Sequence, residues 1–232
     1  MIKIAKHFIM VLCFGELLLR LSPDSNGGWL KNNSLEVFVG GAEMNVASAL
    51  AKWRVPVSYC TCVPKNFLTL ELSKNIQANH IDTSTMLFKG DKLGVYYLQE
   101  GAGIQHAEII YDRKYSSFAQ LKKGMIDWDS TLAGIRWFHF SAISPALNKN
   151  IIDVCEEALQ ACARKNIFVS VDLNYRPRLW RYPKKAREIM PRLVQYCDAV
   201  MGNVWSAESM LDIPVQADLI ELKKRDAYLQ QA

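Results

Sequence analysis

The feature that most constrains this chain is a rhythm of short apolar runs, each followed by a stretch with helical spacing. Residues 8–13 are a continuous apolar run, the pattern of a strand covered on both faces. Residues 43–53 then place Met44, Val46, Ala47, Leu50 and Ala51 on one helical stripe. A strand is expected at 57–63 and a helix at 67–78, with Leu68, Leu72 and Ile76 facing inward. The rhythm resumes later, with strands at 137–140, 167–172 and 199–201. Helices are expected at 150–164, 184–196, 206–211 and 215–231, the last with Leu219, Leu222 and Leu229 inside. Strands separated by helices pair in parallel, because each helix carries the chain back across the sheet. The expected fold class is therefore α/β, with a mainly parallel core sheet.

One region breaks the rhythm. Residues 85–88, 93–99 and 108–112 are strand candidates with no helix between them. They predict a small antiparallel β appendage, which strands near 17–21 and 35–39 are placed to join. The segment between those two contains a turn-rich loop at 24–28.

Composition narrows the function classes. The chain has 232 residues, half of them hydrophobic and 22% charged, which is ordinary for a globular domain. The net charge is +5, and the densest basic cluster is Arg176, Arg178, Arg181, Lys184, Lys185 and Arg187, broken by Pro177 and Pro183. That reads as a solvated surface with one functional arginine, not a nucleic-acid face. Six cysteines, Cys13, Cys60, Cys62, Cys155, Cys162 and Cys197, form no CxxC pair and no zinc spacing. They read as buried small hydrophobes in a reducing, cytoplasmic compartment. The apolar start lacks a small-residue cleavage site and runs directly into Gly15-Glu16, so it is read as a first strand; no stretch is long enough to span a membrane.

Three constellations have the chemistry of a binding site. Gly40-Gly41-Ala42-Glu43-Met44-Asn45 puts two glycines after a strand and before a helix, where a ligand can approach backbone N–H groups and the Asn45 amide. Taken alone it reads equally as a plain strand–helix turn. Asp172, Asn174 and Arg176 alternate after a buried strand, at the carboxyl end where open α/β sheets bind ligands. Tyr96, Tyr111 and Arg113 lie on the β insertion and suit a polar, anionic ligand. They suit a cross-strand aromatic pair with a salt-bridged arginine equally well. His7, His80, His106 and His139 show no ligand or triad spacing.

Together these stretches resemble the ribokinase/PfkB carbohydrate kinases. Gly40-Gly41-Ala42-Glu43-Met44-Asn45-Val46-Ala47 is similar to that family's N-terminal glycine motif. Gly15 to Pro23, Ile110-Tyr111-Asp112-Arg113 and Asp172 to Trp180 are similar to the opening strands and substrate loops of its 2-keto-3-deoxygluconate kinases. The resemblance implies a ribokinase-like αβα core with a β-sheet lid, and ATP-dependent, Mg²⁺-assisted phosphorylation of a sugar hydroxyl. It implies that Gly40, Gly41 and Asn45 hold sugar hydroxyls. Tyr96, Tyr111, Arg113, Asn174 and Arg176 would hold an acid sugar, the two arginines suiting a carboxylate. A neutral sugar such as fructose or ribose would need neither arginine. The lid is also expected to pair with a second lid in a homodimer.

The sequence departs from the family at two places. The family's late Gly-Ala-Gly-Asp, which supplies the general base and a phosphate-steadying helix start, does not occur before Ala232. The middle Asn-x-x-Glu associated with Mg²⁺ and phosphate is represented by Asn203, followed three residues later by Ser206, with Glu208 nearby. A positioned base contributes about 10²–10⁴ in rate. The expectation is therefore a chain truncated at its C-terminus, inactive alone and prone to aggregate through an unfinished sheet. A non-catalytic sugar-acid-binding or dimerising fragment is the reading from another class.

Overall fold

The computed structural model describes residues 9–23, 29, 33–99, 108–180 and 184–214. Along the chain, Val11–Phe14 (β1), Leu18–Ser22 (β2) and Glu36–Gly40 (β3) precede Ala42–Lys52 (α1). Val57–Cys60 (β4), Cys62–Val63 (β5) and Phe67–Ala78 (α2) follow, then Leu87–Phe88 (β6), Gly94–Gln99 (β7) and Glu108–Asp112 (β8). The later series is Trp128–Thr131 (α3), Trp137–Ser141 (β9), Lys149–Arg164 (α4), Phe168–Asp172 (β10), Ala186–Val194 (α5), Ala199–Met201 (β11) and Val204–Leu211 (α6).

The core is a five-stranded sheet in the order β11-β10-β9-β1-β4, parallel at every pairing. β1 lies inside the sheet and is buried at all four positions, which is why its sequence is apolar throughout. Its side chains alternate between two layers. Leu12 and Phe14 join Phe138, Phe140 and the apolar face of α4. Val11 and Cys13 join Val57, Tyr59 and residues Met44 and Ala47 of α1. The result is an αβα sandwich. Its helices are capped locally: Asn148 accepts from Ile151 N–H at the start of α4, and Asn66 with Thr69 forms a capping box on α2.

The β insertion builds a second, four-stranded sheet in the order β3-β2-β7-β8. It was expected to be antiparallel, and it is mixed. The β2–β3 and β7–β8 pairs are antiparallel, but β2 and β7 run parallel, because core elements rather than a hairpin connect them. Residues 85–88 do not join this lid. Their strand, β6, pairs with β5 at the edge of the core, with Leu87 N–H donating to Thr61 C=O at 2.8 Å. The same bonds divide the expected strand 57–63 into β4 and β5.

The helix starts differ from expectation by a few residues, and α3, capped by Asp127, had no counterpart in the sequence reading. The expected helix 215–231, the loop 24–28, Arg181 and residues 1–8 lie outside the described residues. None of the six cysteines is bonded to another, and five are buried. Among the described residues, no helix is long and apolar enough to cross a membrane. Among the described residues, β11 is the edge strand of the core sheet, and its Val200 and Met201 are exposed.

Candidate functional site

A polar cavity of about 250 Å³ opens where the lid meets the carboxyl ends of the parallel strands. Four segments converge on it. The turn after β1 brings Glu16. The start of α1 brings Gly41, Glu43 and Asn45. The lid brings Tyr96, Tyr111 and, just past β8, Arg113. The loop after β10 brings Asn174 and Arg176. Seven of the eight expected substrate residues thus line one cavity, although they come from widely separated parts of the chain.

The glycine pair acts through space and conformation. Gly41 has φ 133°, outside the range L side chains adopt, and a Cβ there would stand 2.5 Å from Glu16 C=O. Gly40 does not line the cavity. It is the last residue of the lid strand β3, where a Cβ would stand 3.3 Å from the Tyr96 ring, so its absence of side chain makes room for that ring.

On the lid, Tyr96 and Tyr111 are register partners, with ring centroids 6.1 Å apart. The rings are thus a cross-strand pair, and both residues also line the cavity. Burial raises the Tyr96 pKa, helped by Tyr111 and opposed by Arg20. The phenol is therefore kept as a neutral hydrogen-bonding group.

The two arginines differ. Arg113 is buried, and Glu16 takes both its Nε–H, at 2.8 Å, and its Nη2–H. Ser116 Oγ donates to the other Glu16 oxygen at 2.5 Å. The Arg113 charge is thus compensated and one edge of its fork is occupied, the salt-bridged arginine that one reading of this region expected. Arg176 is exposed, and its Nη1 donates to Tyr175 C=O at 3.3 Å. Among the described residues no carboxylate lies within ion-pairing distance of it.

Asp172 does not join Asn174 and Arg176 at the cavity, as alternation suggested. Its Oδ1 accepts from Asn174 N–H at 3.0 Å, forming an Asx turn that places Asn174 at φ 29° and breaks the extended alternation. The Asp172 side chain instead lines a separate, mainly apolar cavity of about 470 Å³ with Trp137, His139, Ser170 and Met201. His139 Nδ1 and Ser170 Oγ are 2.9 Å apart there, and burial lowers the histidine pKa, so a structural role stands for this histidine.

Asn203 and Glu208 lie away from the polar cavity, on α6 beyond the edge strand. The Asn203 Oδ1 caps the helix by accepting from Ser206 N–H at 2.8 Å, and Glu208 is exposed. Among the described residues, no cluster of three His, Cys, Asp or Glu side chains is suited to hold a metal.

Sequence reasoning missed the two buried carboxyls, Glu16 and Glu43. Each follows a glycine step, in Gly15-Glu16 and Gly40-Gly41-Ala42-Glu43, and that adjacency was the available signal. Glu43 Oε1 accepts from Ser141 N–H at 2.9 Å and from Ser141 Oγ at 2.5 Å, which ties the start of α1 to the end of β9.

The family described as pfkB family carbohydrate kinase matches residues 9–230. A 2-dehydro-3-deoxygalactonokinase of Haloferax volcanii is 25% identical over 203 residues, covering 88% of this chain and 63% of that protein. A probable chloroplastic fructokinase-6 of Arabidopsis thaliana is 24% identical over 227 residues, covering 94% of this chain and 54% of that protein. The chain therefore spans between half and two thirds of the length of these curated relatives. Among solved structures, the 2-dehydro-3-deoxygluconokinase of Thermotoga maritima superposes with a TM-score of 0.84 at 33% identity, covering 94% of this chain and 69% of that one.

Proposed function

The chain belongs to the pfkB family of carbohydrate kinases, and from that premise we propose that it is the sugar-binding portion of a kinase that phosphorylates a hydroxyl of a sugar acid, with 2-keto-3-deoxygluconate as the substrate. The observation that carries this reading is the convergence of Asn45, Tyr96, Tyr111, Asn174 and Arg176 on one polar cavity. Neutral amide and phenol groups suit hydroxyls, and a guanidinium without a carboxylate partner suits an anion. Relatives named for 2-dehydro-3-deoxy sugar acids support the same substrate class.

In this reading Asn45, Tyr96 and Asn174 orient the sugar hydroxyls, Gly41 lets the sugar approach the helix start, and Gly40 leaves room for the Tyr96 ring. Arg176 holds the carboxylate. Arg113 works chiefly as a strut, locked to Glu16 at the wall of the cavity. ATP supplies the phosphoryl group when bound. Asn203 and Glu208 are assigned to the nucleotide side. Mg²⁺ binds through one or two carboxylates and phosphate oxygens. The Asn203 carboxamide oxygen already accepts the helix-cap hydrogen bond and Glu208 is exposed, so these residues offer no built cation site. The group that removes the hydroxyl proton is assigned to no described residue.

Free, mostly buried thiols agree with a cytoplasmic location. The exposed Val37 and Phe38 on the lid's edge strand support a homodimer formed through the lid.

Calorimetry with 2-keto-3-deoxygluconate and with fructose tests the reading. The expected result is binding of the acid and much weaker binding of fructose. Equal affinity for both favours a neutral-sugar kinase, the reading that the Glu16-compensated charge of Arg113 and the fructokinase relative keep in play.

A further inference from the structure

Glu43 occupies a place where a carboxylate is hard to keep charged. It lines the cavity and is 2% exposed. Its Oε1 takes both hydrogen bonds from Ser141. Its other oxygen is packed against Gly15, where a Cβ would stand 2.0 Å from Oε2. Glu16, the neighbouring buried carboxyl, has Arg113 as its counter-ion, whereas among the described residues Glu43 has no ion-pairing partner.

The groups that face Glu43 do not replace one. Cys13 of β1, Tyr59 of β4 and Cys155 of α4 interact with its charge, and each has its own ionisation suppressed by burial and by that charge. Ser141 of β9 supplies neutral donors. Arg113, from the lid end, favours the charged form only weakly, and it is already paired. Burial therefore outweighs the hydrogen bonds and pushes the Glu43 pKa up to about 7.

We propose that Glu43 is a positioning residue that ties the start of α1 to β9, and that an acidic ligand binds this cavity together with one proton taken from solvent by the Glu43 carboxylate. This inference rests on the sugar-acid reading. A ligand carboxylate entering a small cavity beside an unpaired carboxylate meets like-charge repulsion in a poorly screening medium. Protonation of Glu43 removes it. The neutral acid keeps Oε1 as an acceptor for Ser141 and carries the proton on Oε2, so the tie to β9 survives while the charge disappears. Acid ligands are then favoured at lower pH, and their affinity falls by about tenfold per pH unit once Glu43 is ionised in the free protein. A neutral sugar has no such dependence.

The test is calorimetry of the full chain with 2-keto-3-deoxygluconate in two buffers of different ionisation heat. Proton uptake approaching one per bound ligand at pH 8, and near zero at pH 5.5, is expected. Glu43→Gln should bind with little pH dependence and no uptake. In parallel, the infrared carboxylic-acid band of the ligand-free protein, lost in Glu43→Gln, should titrate near neutrality. Binding at pH 8 without uptake by the wild type overturns the coupling alone, even if the variant fails to fold. Uptake that persists in a folded Glu43→Gln assigns the proton elsewhere and also overturns it. A normally titrating band with no binding of the sugar acid sinks the sugar-acid reading and the coupling with it.

Discussion

The core side and the lid side of the cavity are walls of opposite character. On the core side the polar groups are buried and already engaged, Glu16 with Arg113 and Ser116, and Glu43 with Ser141. On the lid side and in the loop after β10, Tyr96, Tyr111 and Asn174 are only partly buried and Arg176 is exposed. The core wall is finished before a ligand arrives, whereas the outer wall is left to be completed by one. Substitutions in the first should therefore act chiefly on stability, reaching binding only through the charge of Glu43, and substitutions in the second on binding.

The largest expected effect removes the counter-ion that the lid end supplies to the core wall. Arg113→Ala leaves Glu16 buried without its counter-ion, which costs about 3–5 kcal/mol of folding stability. Urea unfolding of Arg113→Ala against the double variant Glu16→Gln/Arg113→Met checks it, with a much smaller loss expected for the pair. Equal losses would mean that Arg113 contributes through packing and not as a compensated charge.

The next effect is carried by pH. The folded-state pKa of Glu43 is raised to about 7, so the folded protein holds its proton more tightly than the unfolded chain does. The stability this contributes is fully present below the unfolded carboxyl pKa and is lost as pH rises through the folded value. The loss is at most about 3 kcal/mol. Unfolding midpoints measured from pH 4.5 to 8 should fall in the wild type relative to Glu43→Gln, and parallel profiles would show that the carboxyl ionises normally.

On the outer wall, Arg176→Ala should weaken sugar-acid binding by about 10–100-fold, the loss of about 1.5–3 kcal/mol for hydrogen bonds to a charged group. Its unfolding midpoint should not move. Calorimetry beside a thermal melt separates the two, and a melt that shifts with unchanged affinity would reverse the contrast between the walls. The smallest effect is at the lid edge. Val37→Lys should change stability by about 0.5 kcal/mol or less, while shifting a lid-paired dimer to monomer in sedimentation velocity.

Much of this architecture was legible because it is written in local pattern. The buried run of β1 and the stripe of α1 each depend on neighbours a few residues away. The candidate site was legible through residue chemistry: glycines before a helix, and arginine, asparagine and tyrosine at the ends of strands. Asp172 was misplaced because its carboxyl closes a local Asx turn, which broke the alternation that would have aimed it at the cavity.

The sequence by itself determined the layers, the order of the strands and helices, and which segments could offer polar groups to a ligand. Periodicity of two and of 3.6 is a short-range property, and burial follows from it. Only the tertiary structure decided which polar groups engage one another. Glu16 and Arg113 are separated by 97 positions and Glu43 and Ser141 by 98, and β6 left the lid for the core through pairing with β5. No local pattern encodes such partners. They meet because a parallel sheet brings distant strand ends to one edge, and burial there makes each unpaired charge too costly to leave alone.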